Sequence, residues 1–320
     1  MDPEPTPERP LVAIFGPTAS GKSALAMQVC EMFGGEIVTA DSRQVYRYMD
    51  IGTDKPSREE QAQVQHHMID LVDPDEDYTL ALYQEQAYRA IDDILARGKL
   101  PVLAGGTPLY VNAVIEGWNI PRVEPNQTYR DALFLEAVEH GPEVLHDRLR
   151  DLDPDAATAI LPSNTRRIVR ALEVIDRTGH PISAQQTKST PPYSILPLLL
   201  SCDRSVLYER IDARVDRYIE RGLVGEVSHL HDMGYAYTLP SMSGIGYRQI
   251  GEYLEGKATL EHAVQRIKWD THAFVRHQAN WFRRVSNGHL LDVTHELPVR
   301  EVQRLVEGFL RVVPAPKRVV

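Results

Sequence analysis

Leu11-Val-Ala-Ile-Phe15 is an unbroken apolar run that stops at Gly16-Pro17. A run without polar alternation reads as a strand buried on both faces, the mark of a parallel sheet. Beyond it, Leu25, Ala26, Val29 and Phe33 recur at three- and four-residue spacing, which predicts a helix over residues 22–33 stopped by Gly34-Gly35. Glu36-Ile-Val-Thr-Ala40 predicts the next strand, ending at Asp41-Ser42 and expected to lie beside the first. A helical period over residues 79–96 closes at Gly98, and Pro101-Val-Leu-Ala104 predicts a strand that ends at Gly105-Gly106-Thr107. Strand and helix in alternation predict a doubly wound α/β core.

The rhythm changes over residues 118–192, where the pattern is helical and Pro121, Pro125, Pro142, Pro154, Pro162 and Pro181 punctuate it. Ile195-Leu-Pro-Leu-Leu-Leu200 then restores a buried strand, and Ser201-Cys202-Asp203 leads into a helix. His289-Leu-Leu-Asp-Val293 predicts a last strand. The simplest account is an all-helical domain, 118–192, inserted between strands of one sheet formed by 11–117 and 193–320. Residues 1–10, acidic and proline-rich, are expected to form a disordered tail; they lack the basic and apolar regions of a signal peptide.

Gly16-Pro-Thr-Ala-Ser-Gly-Lys22-Ser23 matches the P-loop pattern in full, with a strand before it and a helix after it. Its glycines let the backbone wrap an anion, the helix start offers free N–H groups and a positive dipole, Lys22 neutralises charge and Ser23 can hold Mg²⁺. The core is therefore expected to be P-loop NTPase-like. Whether the phosphates belong to a nucleotide is left open by the motif. Asp41 should look across the same crevice, since ligands of such sheets bind beyond the carboxyl ends of the strands. A carboxylate there can hold Mg²⁺, fix a ribose or act as a general base; an Asp closing an Asx turn fits equally well. Gly105-Gly106 permits close backbone approach and turns Thr107 toward the crevice, though a plain turn reads as well. No Asn-Lys-x-Asp guanine-reading motif and no persuasive Walker-B Asp is present, which disfavours a GTPase.

Composition is ordinary for a globular chain of 320 residues, with 42% hydrophobic and 25% charged residues. That length suggests about two domains. Cys30 and Cys202 stand far apart, so neither a Cys-x-x-Cys zinc site nor a disulfide framework is available and a reducing cytoplasm is expected. No apolar run nears the ~18 residues of a membrane span. The formal net charge of -10 argues against a nucleic-acid partner. Its distribution reverses that reading. Twelve acids stand between residues 50 and 93 against Lys55, Arg58 and Arg89, whereas Arg166, Arg167 and Arg170 form one basic cluster. Arg266, Lys268, Arg276, Arg283 and Arg284 form another, facing only Asp270. On the helix after Asp203, Arg210, Arg214, Arg217 and Arg221 make a stripe while Glu209, Asp212, Asp216 and Glu220 keep to a separate face. Such segregation suits an external anion or a solvated face, with Arg214 the preferred anion ligand.

These residues resemble the tRNA dimethylallyltransferase family, the IPP transferases that place a dimethylallyl group on N6 of the adenosine 3′-adjacent to the anticodon. The matching stretches are GPTASGKS, DSRQVYRYMDIGTDKP, HHMIDLVDPDEDYT, GGTPLY, RRIVRALEV and SGIGYRQ, in family order from residue 11 to 293. The resemblance implies that the diphosphate of dimethylallyl diphosphate sits on Gly16, Pro17, Thr18, Ala19, Ser20, Gly21, Lys22 and Ser23 with Mg²⁺, with Arg214 approaching from the opposite side. Asp41 is then the general base, Thr107 a polar contact near the reacting centre and Lys22 a catalytic cation. A monomer acting on the tRNA anticodon stem-loop, away from membranes, is expected. The tRNA-facing residues implied are Asp41, Ser42, Arg43, Gln44, Thr107, Arg130, Arg166, Arg167, Arg170, Gly246, Tyr247, Arg248, Arg276, His277, Gln278 and Arg283.

His277 and Asn280 depart from the family's usual Arg-Gln-x-Thr-Trp-Phe, and Arg43 and Pro108 stand where other residues are commoner; these departures bear on RNA contacts. Trp269 and Trp281 can stack on bases or pack between helices. The competing readings are a P-loop small-molecule kinase, a non-catalytic nucleotide-gated RNA-binding module and an adenylate isopentenyltransferase, the last having less need of basic RNA-facing helices.

Overall fold

The computed structural model describes residues 9–283, 285 and 288–313. Two compact units emerge, one of residues 1–115 and 191–320, the other of residues 116–190.

The first unit is built on a six-stranded, all-parallel sheet. In chain order its elements open with β1 (Pro10–Phe15), α1 (Lys22–Phe33), β2 (Gly35–Thr39), α2 (Arg58–Gln63), β3 (His66–His67), α3 (Leu80–Ala96), β4 (Leu100–Gly105) and α4 (Pro108–Ile115). The sheet order is β3-β2-β4-β1, completed by β5 (Ser194–Ser201) and β6 (His289–Asp292). The α/β reading therefore holds, with one correction to the expected pairing. β2 does not lie beside β1, because β4 is inserted between them and pairs with both. Gly105 makes this possible at the end of β4, where a Cβ would fall 2.1 Å from the Ala40 carbonyl oxygen. The two-residue β3 is too short to leave a periodic signal.

The central strands are apolar throughout because both faces are covered. Leu11, Ala13 and Phe15 enter one core, while Val12 and Ile14 enter the other. The tail expectation over residues 1–8 lies outside the described residues. At its end it is corrected: Pro10 already belongs to β1, and Arg9 pairs with Asp92 and covers the Tyr193 ring.

The second unit is helical: α5 (Gln127–His140), α6 (Pro142–Leu152), α7 (Pro154–Ala159), α8 (Thr165–Thr178) and α9 (Ile182–Gln185). Three of its prolines, Pro142, Pro154 and Pro181, stand at helix starts. Pro142 and Pro154 stand in the first turns of α6 and α7, where a missing N–H costs nothing. The side chains of Asn126, Asp153 and Asn164 cap α5, α7 and α8. Leu133, Leu145, Leu149, Ile168 and Leu172 form its own core.

Returning to the first unit, α10 (Arg204–Glu220), α11 (Leu223–Asp232), α12 (Tyr247–Leu254), α13 (Leu260–Phe282) and α14 (Val299–Val312) complete the chain. Leu207, Ile211 and Val215 of α10 share a core with Val275 and Phe282 of α13. Among the described residues no helix is long and apolar enough to cross a membrane.

Candidate active site

The loop joining β1 to α1 carries the phosphate-binding pattern at the carboxyl end of the sheet. Gly21 precedes α1 with φ 86°, a left-handed conformation that strains any side chain. Lys22 Nζ donates to the Pro17 carbonyl at 2.7 Å. Ser20 is fully buried, and its hydroxyl has no partner among the described residues. Gln278 of α13 braces the loop: its Oε1 accepts from Thr18 N at 2.9 Å and its Nε2 donates to the Gly106 carbonyl at 2.6 Å. A Cβ at Gly106 would come within 2.9 Å of that amide nitrogen and 3.4 Å of Lys22 Nζ, so glycine here permits the closeness of β4 and the loop.

Asp41 follows β2 and faces the same cavity. Its Oδ1 accepts from Arg43 N at 2.8 Å and, more weakly, from Gln44 N at 3.4 Å, an Asx turn. No described hydrogen bond engages Oδ2. The turn and the chemical reading are thus compatible, because one oxygen shapes the loop and the other is left for the cavity. Thr107 Oγ1 accepts from Ser42 N at 3.0 Å, tying the end of β4 to the turn after β2.

The cavity these groups share has a volume of about 640 Å³. Thr18, Gly21, Lys22 and Ser23 lie on its rim with Asp41, Thr107 and Arg214, and Ile211, Val215, Ile245, Ile267 and Phe274 give it an apolar wall. Burial, and then the charge of Arg214, push the Lys22 ammonium down from its usual range to about 7 against the pull of Asp41 and Asp54.

The arginine stripe of α10 divides by partner. Arg210 donates to the carbonyls of Val293 at 3.1 Å and Thr294 at 2.8 Å, a structural role. Arg214 and Arg221 lie 3.4 Å and 3.7 Å from the Asp54 carboxylate. Arg217 joins Ser20, Gly21, Arg210, Arg214 and His295 around a smaller cavity of about 320 Å³. The acidic face of α10 meets α13, with Asp216 at 2.7 Å from Lys268 and Asp212 at 2.9 Å from His272.

The remaining sequence-predicted positions scatter in role. Arg43 donates to the carbonyls of Pro240 at 2.8 Å and Ser241 at 3.0 Å, and buried Gln44 donates to those of Thr53 and Asp54. Tyr247 is buried, and its hydroxyl donates to Glu226 at 2.6 Å; Gly246 N donates to Gln249 Oε1. Exposed Arg248 pairs with Asp270, exposed Arg276 donates to the Tyr208 hydroxyl, and His277 and Arg283 are exposed. Arg284 lies outside the described residues. In the helical unit the basic cluster is not uniform, since buried Glu173 holds both Arg130 and Arg170, leaving Arg166 and Arg167 exposed in the first turn of α8. Trp269 and Trp281 are 53% and 37% exposed.

A family model described as IPP transferase matches residues 44–285, and one described as isopentenyl transferase matches residues 10–73. The tRNA dimethylallyltransferase of Roseiflexus castenholzii is 57% identical over 278 residues, 87% of this chain and 91% of that one. The chain belongs to the IPP transferase family. Among solved IPP transferase structures, the full-length tRNA isopentenylpyrophosphate transferase of Bacillus halodurans matches with a TM-score of 0.71 at 39% identity, covering 95% of this chain and 98% of that one. A eukaryotic dimethylallyltransferase described as acting on tRNA matches with a TM-score of 0.83 at 27% identity, covering 97% of this chain and 81% of that one. In this IPP transferase, sequence reasoning missed Asp54, Glu226 and the cavity role of Phe274. Asp54 carried a usable signal, an acid just after Gly52-Thr53 in a turn; Glu226 and Phe274 carried none beyond helical periodicity.

Proposed function

We propose that the chain transfers the dimethylallyl group of dimethylallyl diphosphate to N6 of the adenosine 3′-adjacent to the anticodon in tRNA, releasing diphosphate. The observation that carries the reading is a phosphate cradle and a carboxylate facing one cavity that also has an apolar wall. A kinase needs the cradle, but an apolar wall beside it suits a hydrocarbon group to be moved.

The N6 nitrogen attacks the allylic carbon bonded to oxygen; that carbon–oxygen bond breaks, its electron pair leaves with the diphosphate, and the N6 proton passes to Asp41 Oδ2. Charge grows on the leaving oxygens, so the P-loop amides, Lys22 and Arg214 hold the transition state more tightly than the ground state. Thr107, fixed by Ser42, orients the turn that carries Asp41. The exposed Ser23 hydroxyl and the phosphate oxygens make a donor set that fits Mg²⁺, which binds through few protein ligands. Among the described residues no cluster of three His, Cys, Asp or Glu offers a separate all-protein site. When bound, the ion neutralises charge on the leaving group.

The adenosine has to leave its stack for N6 to reach the cavity. The exposed side chains Arg248, Arg276, His277 and Arg283 of the sheet unit, and Arg166 and Arg167 of the helical unit, are the phosphate contacts we assign to the anticodon stem-loop. Gly246 acts through the backbone, and Arg43, Gln44, Tyr247, Gln278, Arg130 and Arg170 shape the loops and helices that present these groups. A monomeric cytoplasmic enzyme completes the reading, in keeping with two free cysteines.

The test is transfer from labelled dimethylallyl diphosphate, with Mg²⁺, to an anticodon stem-loop bearing three consecutive adenines or to AMP. Product on the RNA is expected. Transfer to AMP alone overturns the tRNA reading.

A further inference from the structure

The turn that carries Asp54 is anchored from both sides. The Glu226 carboxylate of α11 accepts from the backbone N–H groups of Asp50 at 3.0 Å, Ile51 at 2.7 Å and Gly52 at 3.2 Å, and from the Tyr247 hydroxyl. From the other side Gln44 Nε2 donates to the carbonyls of Thr53 at 3.0 Å and Asp54 at 3.1 Å. Buried Lys55 closes the turn, its Nζ 2.6 Å from both Asp50 and Asp70. Asp54 itself has φ 53°, a backbone conformation that asparagine also tolerates.

This rigid backbone presents a carboxylate that is only loosely engaged. Asp54 lies on the cavity wall with Lys22 and Arg214. Its Oδ2 is 3.4 Å from Arg214 and its Oδ1 is 3.7 Å from Arg221, and the side chain is 40% exposed. Both separations exceed those of charge-assisted hydrogen bonds. The carboxylate therefore shares its attraction between two guanidiniums, of which only Arg214 lines the cavity. An anion arriving at the P-loop meets Arg214 already partly neutralised and a fixed negative charge close by.

Resting on the function proposed above, we propose that Asp54 is a resident counter-ion that competes with diphosphate for Arg214, and that Arg221 restrains it by drawing the carboxylate away. The consequence is a deliberately weakened hold on the leaving group. When diphosphate departs, Asp54 takes back Arg214, so product release is favoured over retention. Asp54 is a positioning residue in this scheme, acting through Arg214. The two flanking cations predict substitutions of opposite sign, which a general structural role for the turn does not.

The probe is inorganic diphosphate, titrated with Mg²⁺ by calorimetry into the full-length wild-type protein, Asp54→Asn and Arg221→Gln, alongside the transfer assay. Asp54→Asn is expected to bind diphosphate roughly tenfold more tightly, with a lower KM for dimethylallyl diphosphate, stronger product inhibition and no gain in kcat. Arg221→Gln is expected to bind it about threefold more weakly. Unchanged or weaker binding by Asp54→Asn in a protein that still transfers the group overturns the counter-ion role alone. Should Asp54→Asn fail to fold, unchanged or tighter binding by Arg221→Gln overturns it instead. A wild-type protein that transfers no dimethylallyl group fails at the earlier step and overturns the functional reading.

Discussion

Glu36 lies near the start of β2 and Asp41 just past its carboxyl end, and their surroundings are opposites. Glu36 is 1% exposed and fully partnered: Arg97 Nη2 and Lys99 Nζ each donate to it at 2.7 Å, and His67 Nε2 lies 2.7 Å away. Burial works against its ionisation, but the hydrogen bonds from Arg97, Lys99 and His67 outweigh it and hold the carboxyl down at about 2. Asp41 has one oxygen in an Asx turn and lines a cavity that it shares with Lys22, an ammonium itself held at about 7. A carboxylate saturated with partners stabilises the fold. One left short of partners, at the carboxyl end of the strand, is available for chemistry.

The comparison is broken most forcefully at Asp41. Asp41→Ala is expected to cut turnover by roughly 10²-fold or more, with stem-loop affinity nearly unchanged, because a general base acts only as the proton moves. Parallel measurement of kcat and RNA binding decides it: a matching loss of affinity makes Asp41 a contact residue. Asn at this position retains the Asx acceptor and is expected to lose activity while keeping the loop. At the other end, Glu36→Gln is expected to lower unfolding free energy by about 2 kcal/mol, since a buried carboxylate loses its charge-assisted hydrogen bonds while Arg97 and Lys99, 36% and 40% exposed, recover water. Denaturant titration would show this, and a loss below about 1 kcal/mol means the cluster merely decorates the sheet edge.

How much of this was readable beforehand follows from what each residue answers to. The strands β1, β4 and β5 and the helices α1 and α3 were legible because burial on both faces writes unbroken apolar runs, and packing on one face writes a three-to-four period. The order of strands was not, because insertion of β4 depends on Gly105 meeting Ala40 across sixty-odd residues of chain, a contact with no local trace. In the site, Lys22 and Asp41 announce themselves through motif and position. Gln278 and Tyr247 look like surface residues of RNA-facing helices, yet both are buried and serve as internal braces, and only the tertiary neighbours Thr18, Gly106 and Glu226 reveal it. Likewise Glu173 lies three residues past Arg170, but its capture of Arg130 from another helix has no signature in spacing.

Acid gives a smaller and graded version of the Glu36 experiment. Its folded-state pKa is depressed below the ordinary value of 4.5, so its contribution is complete above that value and is lost as pH falls from there toward about 2. Between pH 6 and pH 3 the wild-type protein is expected to lose about 2 kcal/mol through this group, and Glu36→Gln to lack that component of the decline. Identical acid profiles for the two proteins assign the loss to other carboxylates.

The smallest effects test whether the same distinction between saturated and unsaturated charges holds in the helical unit. Arg130 and Arg170 are tied to Glu173, whereas Arg166 and Arg167 stand in the first turn of α8, where the helix dipole disfavours cations. Among the described residues no ion pair is seen for Arg166, the arginine proposed above to meet an RNA phosphate. Arg166→Gln is therefore expected to weaken stem-loop binding a few-fold and to reduce the slope of log affinity against log salt by about 1, with no loss of stability. Arg130→Gln is expected to do the reverse, destabilising the helical unit through Glu173 while leaving the salt slope nearly unchanged. If Arg130→Gln flattens the slope as much as Arg166→Gln does, an arginine bound to a buried carboxylate still serves the RNA, and partner saturation ceases to separate structural charge from functional charge in this protein.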